Sequence, residues 1–142
     1  MIVKDVMNKD VVATKPDVKI KDAVKIMNKL RIGSMIVLDE KNRIIGIMTE
    51  RDIMKSIERG MDPEINEVGD IMSKDVKTIS SDADLAEAVS TMTTYKIKKL
   101  PVVDGGILVG ILTTSDIVVV EPKIIESIAD LLSIKLPGYR GG

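Results

Sequence analysis

Two short stretches of this chain carry side chains able to grip a ligand. Thr49-Glu50-Arg51-Asp52 and Thr113-Thr114-Ser115-Asp116 each set a hydroxyl three positions ahead of a carboxylate. That spacing is the one used by a capping box, in which a Thr hydroxyl at a helix N-cap is answered by an acidic residue at the third helical position. It also suits recognition of a nucleoside. Each stretch follows an aliphatic run, Gly46 to Met48 or Gly110 to Leu112, and so stands where a strand opens into a helix. Backbone N–H groups and the helix dipole favour an anion there, and a carboxylate can accept two hydrogen bonds from a ribose diol. Lys98-Lys99 is a third candidate, a basic pair directly ahead of the Leu100 to Val103 run. On its own it is a solvated helix end.

Composition removes most other chemistry. Among 142 residues there are 0 His and 0 Cys, so imidazole or thiolate metal sites, Ser/His/Asp triads, Cys nucleophiles, iron–sulfur clusters and disulfides are ruled out. No P-loop and no paired carboxylates are visible, which argues against an enzyme. Aromatic residues make up 1% of the chain, Tyr95 and Tyr139, too few for base-stacking platforms. The formal charge of −1, from 21 basic and 22 acidic residues, argues against nucleic acid as a partner. No charged-then-apolar leader opens the chain and no apolar run approaches the roughly 20 residues that span a bilayer, so the expected location is the cytoplasm, without membrane.

The elements that hold these residues repeat. Shifted by 65, Asp5-Val6-Met7-Asn8-Lys9-Asp10-Val11 lies over Asp70-Ile71-Met72-Ser73-Lys74-Asp75-Val76. The register persists through Ala23/Ala88, Met27/Met92, Val37/Val102 and Asp39/Asp104. It then becomes 64, with Gly46 to Ile53 over Gly110 to Ile117, the lost residue falling where Asp104-Gly105-Gly106 predicts a tighter hairpin than Asp39 to Arg43. Each copy reads β-α-β-β-α: an extended segment (Val11 to Thr14; Val76 to Ile79), a helix capped by Asp17 or Asp82, two aliphatic strands, and a helix from near Arg51 or Ser115. The strands are Met35 to Leu38 and Ile44 to Met48, then Leu100 to Val103 and Ile107 to Leu112. Met27, Met48, Met54 and Met92 are expected in the core, as is Tyr95. The expected fold class is α/β (α+β): two β-α-β-β-α units packed about a pseudo-two-fold axis, plus a C-terminal helix. The expected division is 1–60, a 61–69 linker, 70–120, and a 121–142 helix and tail. That last helix would line up Ile124, Ile125, Ile128, Leu131 and Leu132 as a stripe for a homodimer.

With Leu100-Pro101-Val102-Val103-Asp104 on a central strand and Gly-h-h-Thr-x-x-Asp-h, where h is apolar, closing both repeats, residues 1 to 120 resemble a tandem pair of CBS (cystathionine beta-synthase) domains. Met35-Ile36 stands where that family often has Leu-Pro, and the pair is expected to stand alone, without a catalytic or channel domain. The resemblance implies a regulatory, energy-sensing module with two clefts that bind AMP, ADP, ATP or a related adenosyl compound as regulatory ligand, with no catalytic cofactor, and signal to a protein partner. By position it implies ribose or phosphate contacts from Asp116, Thr113 and Ser115, and from Asp52, Thr49 and Arg51. It puts Lys98 and Lys99, with counterparts Gly33 and Ser34, at the phosphates. Backbone at Val12 and Lys77 would meet the adenine edge, and Ile32 and Ile97 would pack on the base. The competing expectation is a structural dimerisation or interaction module with empty clefts.

Overall fold

A computed structural model describes residues 1–120, so the expected helix and tail over 121–142, with the Ile124 to Leu132 stripe, lie outside the described residues. The elements in chain order are a 3₁₀ turn at Val3–Asp5, β1 (Ala13–Thr14), α1 (Ile20–Leu30), β2 (Ser34–Leu38), β3 (Ile44–Thr49), α2 (Glu50–Glu58), α3 (Val68–Ile71), α4 (Leu85–Tyr95), β4 (Lys99–Asp104), β5 (Ile107–Thr113) and α5 (Thr114–Val120). Contacts divide these into two compact units. One is Val12–Val76; the other joins Met1–Val11 to the described residues from Lys77 onward. Each unit therefore combines most of one sequence repeat with the short leading arm of the other.

The arms explain a correction to the sequence reading. Neither Asp17 nor Asp82 caps a helix; the N-caps are Lys19 and Asp84, two residues later. In the first unit Val68 N–H donates to Val18 O (2.9 Å) and Ile20 N–H to Asn66 O (3.0 Å), and in the second Val3 N–H donates to Ala83 O (2.9 Å) and Leu85 N–H to Met1 O (3.0 Å). These pairings fasten the chain around the extended N-caps Lys19 and Asp84 to the arms, so the helices begin only at Ile20 and Leu85.

Both hairpins are antiparallel with equivalent registers, Val37 opposite Gly46 and Val102 opposite Gly110, and each carries an irregularity beside that pair. Gly105 and Gly106 both take positive φ, +56° and +81°, the geometry of a two-residue turn that only glycine adopts without strain, as the Asp-Gly-Gly sequence predicts. The longer first-repeat turn places Asn42 at φ 60° and is tied by Asp39 Oδ1, which accepts from Lys41 N–H (2.8 Å) and Arg43 N–H (2.9 Å).

The sheets differ at one edge. β1 adds to β2 in parallel through Ala13/Ile36 and Thr14/Val37. The Val76 to Ile79 segment, expected to be its equal, forms only the isolated Ile79/Val102 bridge. Pro101 replaces Ile36 there, and a proline has no N–H to offer a second rung.

The two cores are made from equivalent positions. Ala23, Met27, Met35, Val37, Met48 and Val68 in one unit correspond to Ala88, Met92, Leu100, Val102, Leu112 and Val3 in the other, all buried. Methionine replaces leucine at two of these positions in the first repeat, a near volume-conserving exchange. Met54 and Tyr95 do not join them. Met54 is 70% exposed and Tyr95 is 52% exposed. Met54 lies on the outer face of α2, whereas the Tyr95 ring seats the Lys77 ammonium 4.5 Å from its centroid, a contact worth about 0.5–1 kcal/mol when exposed.

Candidate functional site

The Thr-x-x-Asp stretches stand where the sequence put them, at the C-terminal ends of β3 and β5. In the first repeat Thr49 is the N-cap of α2: Asp52 N–H donates to Thr49 Oγ1 (3.3 Å), while Thr49 N–H and Oγ1–H donate to Asp52 Oδ2 (2.9 and 3.0 Å). The second repeat makes the same reciprocal pair, Asp116 N–H to Thr113 Oγ1 and Thr113 N–H to Asp116 Oδ2, both 3.2 Å. Both aspartates are thus capping residues, each through one carboxylate oxygen.

Their other oxygens differ. Asp52 Oδ1 accepts from the Ser73 hydroxyl at 3.2 Å, whereas Asp116 Oδ1 accepts no hydrogen bond among the described residues. Ser73 was missed by the sequence reading. It corresponds to Asn8, whose Oδ1 instead accepts from Asp10 N–H (2.9 Å), and nothing local links residue 73 to residue 52.

Backbone pairing draws the basic pair to the second of these turns. Thr114 N–H donates to Lys98 O (3.0 Å) and Lys99 lies opposite Thr113 in the ladder. The first repeat repeats this geometry with Glu50 N–H on Gly33 O (3.1 Å) and Ser34 opposite Thr49. Lys98, Arg51 and Ser115 are exposed, and Lys99, Thr49, Thr113, Asp52 and Asp116 are half-buried. Ile32 and Ile97 follow the left-handed C-cap residues Arg31 and Lys96, and both pack against their unit's core. Val12 is exposed just before β1, and Lys77 is half-buried with its ammonium over the Tyr95 ring. Hydrogen bonds, ladder pairing and chain adjacency gather Gly33, Thr49, Arg51 and Asp52 in one unit and Lys98, Lys99, Thr113, Ser115 and Asp116 in the other. Val12 shares the first of these units and Lys77 the second.

The hairpin-entry aspartates are a separate device. Asp104 reaches back to Ser81, accepting from its N–H (3.0 Å) and hydroxyl (2.5 Å), and those donors, the hydroxyl foremost, hold its carboxyl below the usual 3.8. Asp39 is also held low, chiefly by the Arg43 N–H within its own turn. No group of three or more acidic side chains able to hold a metal ion occurs among the described residues, and no described helix is long and apolar enough to cross a membrane.

Known proteins resemble this chain in sequence and fold. The CBS domain family matches residues 3–59 and again residues 68–122. Protein MK0525 of Methanopyrus kandleri is 39% identical over 133 residues, 90% of this chain and 66% of that protein. Inosine-5′-monophosphate dehydrogenase of Methanocaldococcus jannaschii is 32% identical over 114 residues, 80% of this chain and 22% of the enzyme, so the chain spans less than two thirds of either relative. The solved CBS domain pair of protein MJ0100, in complex with 5′-methylthioadenosine and S-adenosyl-L-methionine, is 29% identical with a TM-score of 0.74, over 87% of this chain and 97% of that one. Two family matches, one on each repeat and each enclosing a Thr-x-x-Asp cap, make this chain a tandem member of the CBS domain family.

Proposed function

We propose that the chain is a regulatory module and not an enzyme, binding AMP, ADP, ATP or a related adenosyl compound and passing the bound state to a protein partner. The observation that carries this reading is Asp116, whose Oδ2 is committed to the helix cap while Oδ1 accepts nothing among the described residues, beside the exposed Lys98. One carboxylate oxygen for the cap leaves one for a ribose diol, and the lysines supply cations for phosphate. The binding of adenosyl ligands by the MJ0100 pair supports the ligand class. On this reading Asp116, Thr113, Ser115, Lys98 and Lys99 form one site, with Lys77 and Ile97 at the base. Asp52, Thr49, Arg51 and Gly33 form the other, with Val12 and Ile32. Energy sensing, a homodimer built on the Ile124 to Leu132 stripe and a cytoplasmic address belong to the same reading; mass measurement in solution tests the dimer, which a monomer at tens of micromolar would exclude.

The geometry also favours a second reading, a structural module with empty sites, because Asp52 has both oxygens occupied by protein donors. Calorimetric titration of Asp116→Ala and Asp52→Ala with AMP and ATP separates the two. Without its hydrogen bonds to the ribose, a site should bind about 2–3 kcal/mol more weakly, whereas a helix without its cap should be about 1 kcal/mol less stable. Stability that falls while affinity holds supports the structural reading.

A further inference from the structure

The two repeats place opposite charges at one equivalent spot. Glu50 N–H on Gly33 O (3.1 Å) and Thr114 N–H on Lys98 O (3.0 Å) make residues 33 and 50, like 98 and 114, immediate neighbours within their own units. In the first repeat the Glu50 carboxylate leans over Gly33: a Cβ on Gly33 would lie 3.3 Å from Glu50 Oε1 and 3.6 Å from Cδ. In the second repeat position 98 carries the lysine side chain that Gly33 lacks, and Thr114 is 2% exposed. A carboxylate therefore stands in the first repeat beside the position from which a lysine side chain springs in the second. Gly33, Ser34, Glu50, Arg51 and Asp52 together carry one net negative charge, and Lys98, Lys99, Thr114, Ser115 and Asp116 one net positive charge.

We infer that Glu50 makes the first-repeat site selective for adenosyl ligands whose 5′ substituent is uncharged or cationic, and closes it to phosphate, whereas the second-repeat site takes phosphate. This rests on the adenosyl reading above. On this inference the ribose sits on Asp52 and the 5′ end of the ligand points toward the start of α2, where Glu50 and the Gly33 carbonyl are neighbours. A phosphate brought there meets two carboxylates against the single guanidinium of Arg51, whereas a thioether meets no repulsion and a sulfonium is attracted. Glu50 also opens a nine-residue helix, where an acid in the first turn stabilises the dipole. That structural role alters stability and not the choice between ligands.

The test uses the full chain with Asp116→Ala, which leaves the first-repeat site, titrated calorimetrically at low salt with adenosine, 5′-methylthioadenosine and AMP, with and without Glu50→Gln. The expected result is tighter binding of the two uncharged ligands than of AMP. Glu50→Gln should then raise AMP affinity about fivefold or more, with the uncharged ligands held within about twofold. Glu50→Thr, which copies Thr114, should act in the same direction. An AMP-to-adenosine ratio unmoved by either substitution overturns the inference, as does binding in the wild type that Asp116→Ala abolishes entirely. Failure of the wild-type protein to bind any of the three ligands defeats the adenosyl reading itself, and the inference with it.

Discussion

Gly110→Ala should destabilise the protein, although an alanine at such a place ordinarily helps. Gly110 has no positive φ, so an L-residue fits its backbone, and replacing glycine where that holds usually stabilises by about 0.4–1 kcal/mol through the unfolded chain. Space decides otherwise. A Cβ on Gly110 would fall 2.6 Å from Met7 Sδ, 3.1 Å from Met7 Cγ and 3.0 Å from the Asn8 carbonyl oxygen. The methionine can swing aside only by giving up its packing against the core. The carbonyl cannot, because Asn8 and Ile111 exchange two hydrogen bonds of 2.9 Å that fasten the leading arm to β5. Overpacking of this kind costs about 1–3 kcal/mol, so the net expectation is a loss of about 1–2 kcal/mol. A Cβ on Gly46 would fall 2.6 Å from Met72 Sδ and 3.0 Å from Ser73 O, so Gly46→Ala should cost nearly the same. Equilibrium guanidinium unfolding measures both. In a double-mutant cycle Met7→Ala should recover about 1 kcal/mol of the Gly110→Ala loss, since the sulfur leaves and the carbonyl stays. A neutral or stabilising Gly110→Ala, or strict additivity with Met7→Ala, would refute the claim that these glycines exist to admit the arms.

Lys96→Gly and Arg31→Gly should each stabilise by about 0.5–1 kcal/mol in the same assay, because both residues sit in the left-handed region, at φ 54° and 55°, as helix C-caps. Met54→Lys should shift stability by less than about 0.5 kcal/mol, since the side chain is 70% exposed, and a large loss in guanidinium unfolding would place it under a partner surface. The Asp104 carboxyl is held below 3.8 by Ser81, so its contribution is present above that pH and lost as pH falls through the lower folded value. Wild type should therefore exceed Asp104→Asn by a constant margin from pH 5 to 7, and the margin should shrink as pH falls below 3.8 in unfolding curves taken across that range. Lys98→Ala with Lys99→Ala should weaken AMP about tenfold and adenosine hardly at all, an effect that added salt shrinks in calorimetry.

The sequence revealed the repeat, the hairpins and the place of each Thr-x-x-Asp turn because all of these are local: periodicity, a Gly-Gly turn and a motif at a strand end can be read from neighbouring residues. What it hid depends on chain segments far apart. Helix starts at Ile20 and Leu85 instead of just after the two Asp residues follow from arms 66–68 and 1–3, and no propensity carries that information. The missing strand at residues 76–79 was legible in principle, since Pro101 stands opposite and cannot donate. Tyr95 shares a helix face with Leu85, Ala88 and Met92, yet it lies in the last turn of α4, where the core ends and Lys77 can pass over the ring.

The Thr-x-x-Asp motif shows why capping and ligand binding need not compete. A carboxylate has two oxygens, and the cap takes only Oδ2 in both repeats. On the adenosyl reading proposed above, engagement of the second oxygen by Ser73 at Asp52 changes what a ribose meets there: a diol must displace a hydroxyl at 3.2 Å, a neutral donor that exchanges readily for another neutral donor. At Asp116 the diol displaces no protein donor among the described residues. Equal sequence motifs thus present unequal sites, and the inequality comes from Ser73, Gly33 and Glu50, which lie outside the Thr and Asp that define the motif. Specificity in a duplicated fold can in this way diverge at neighbours while the caps that hold the helices stay the same.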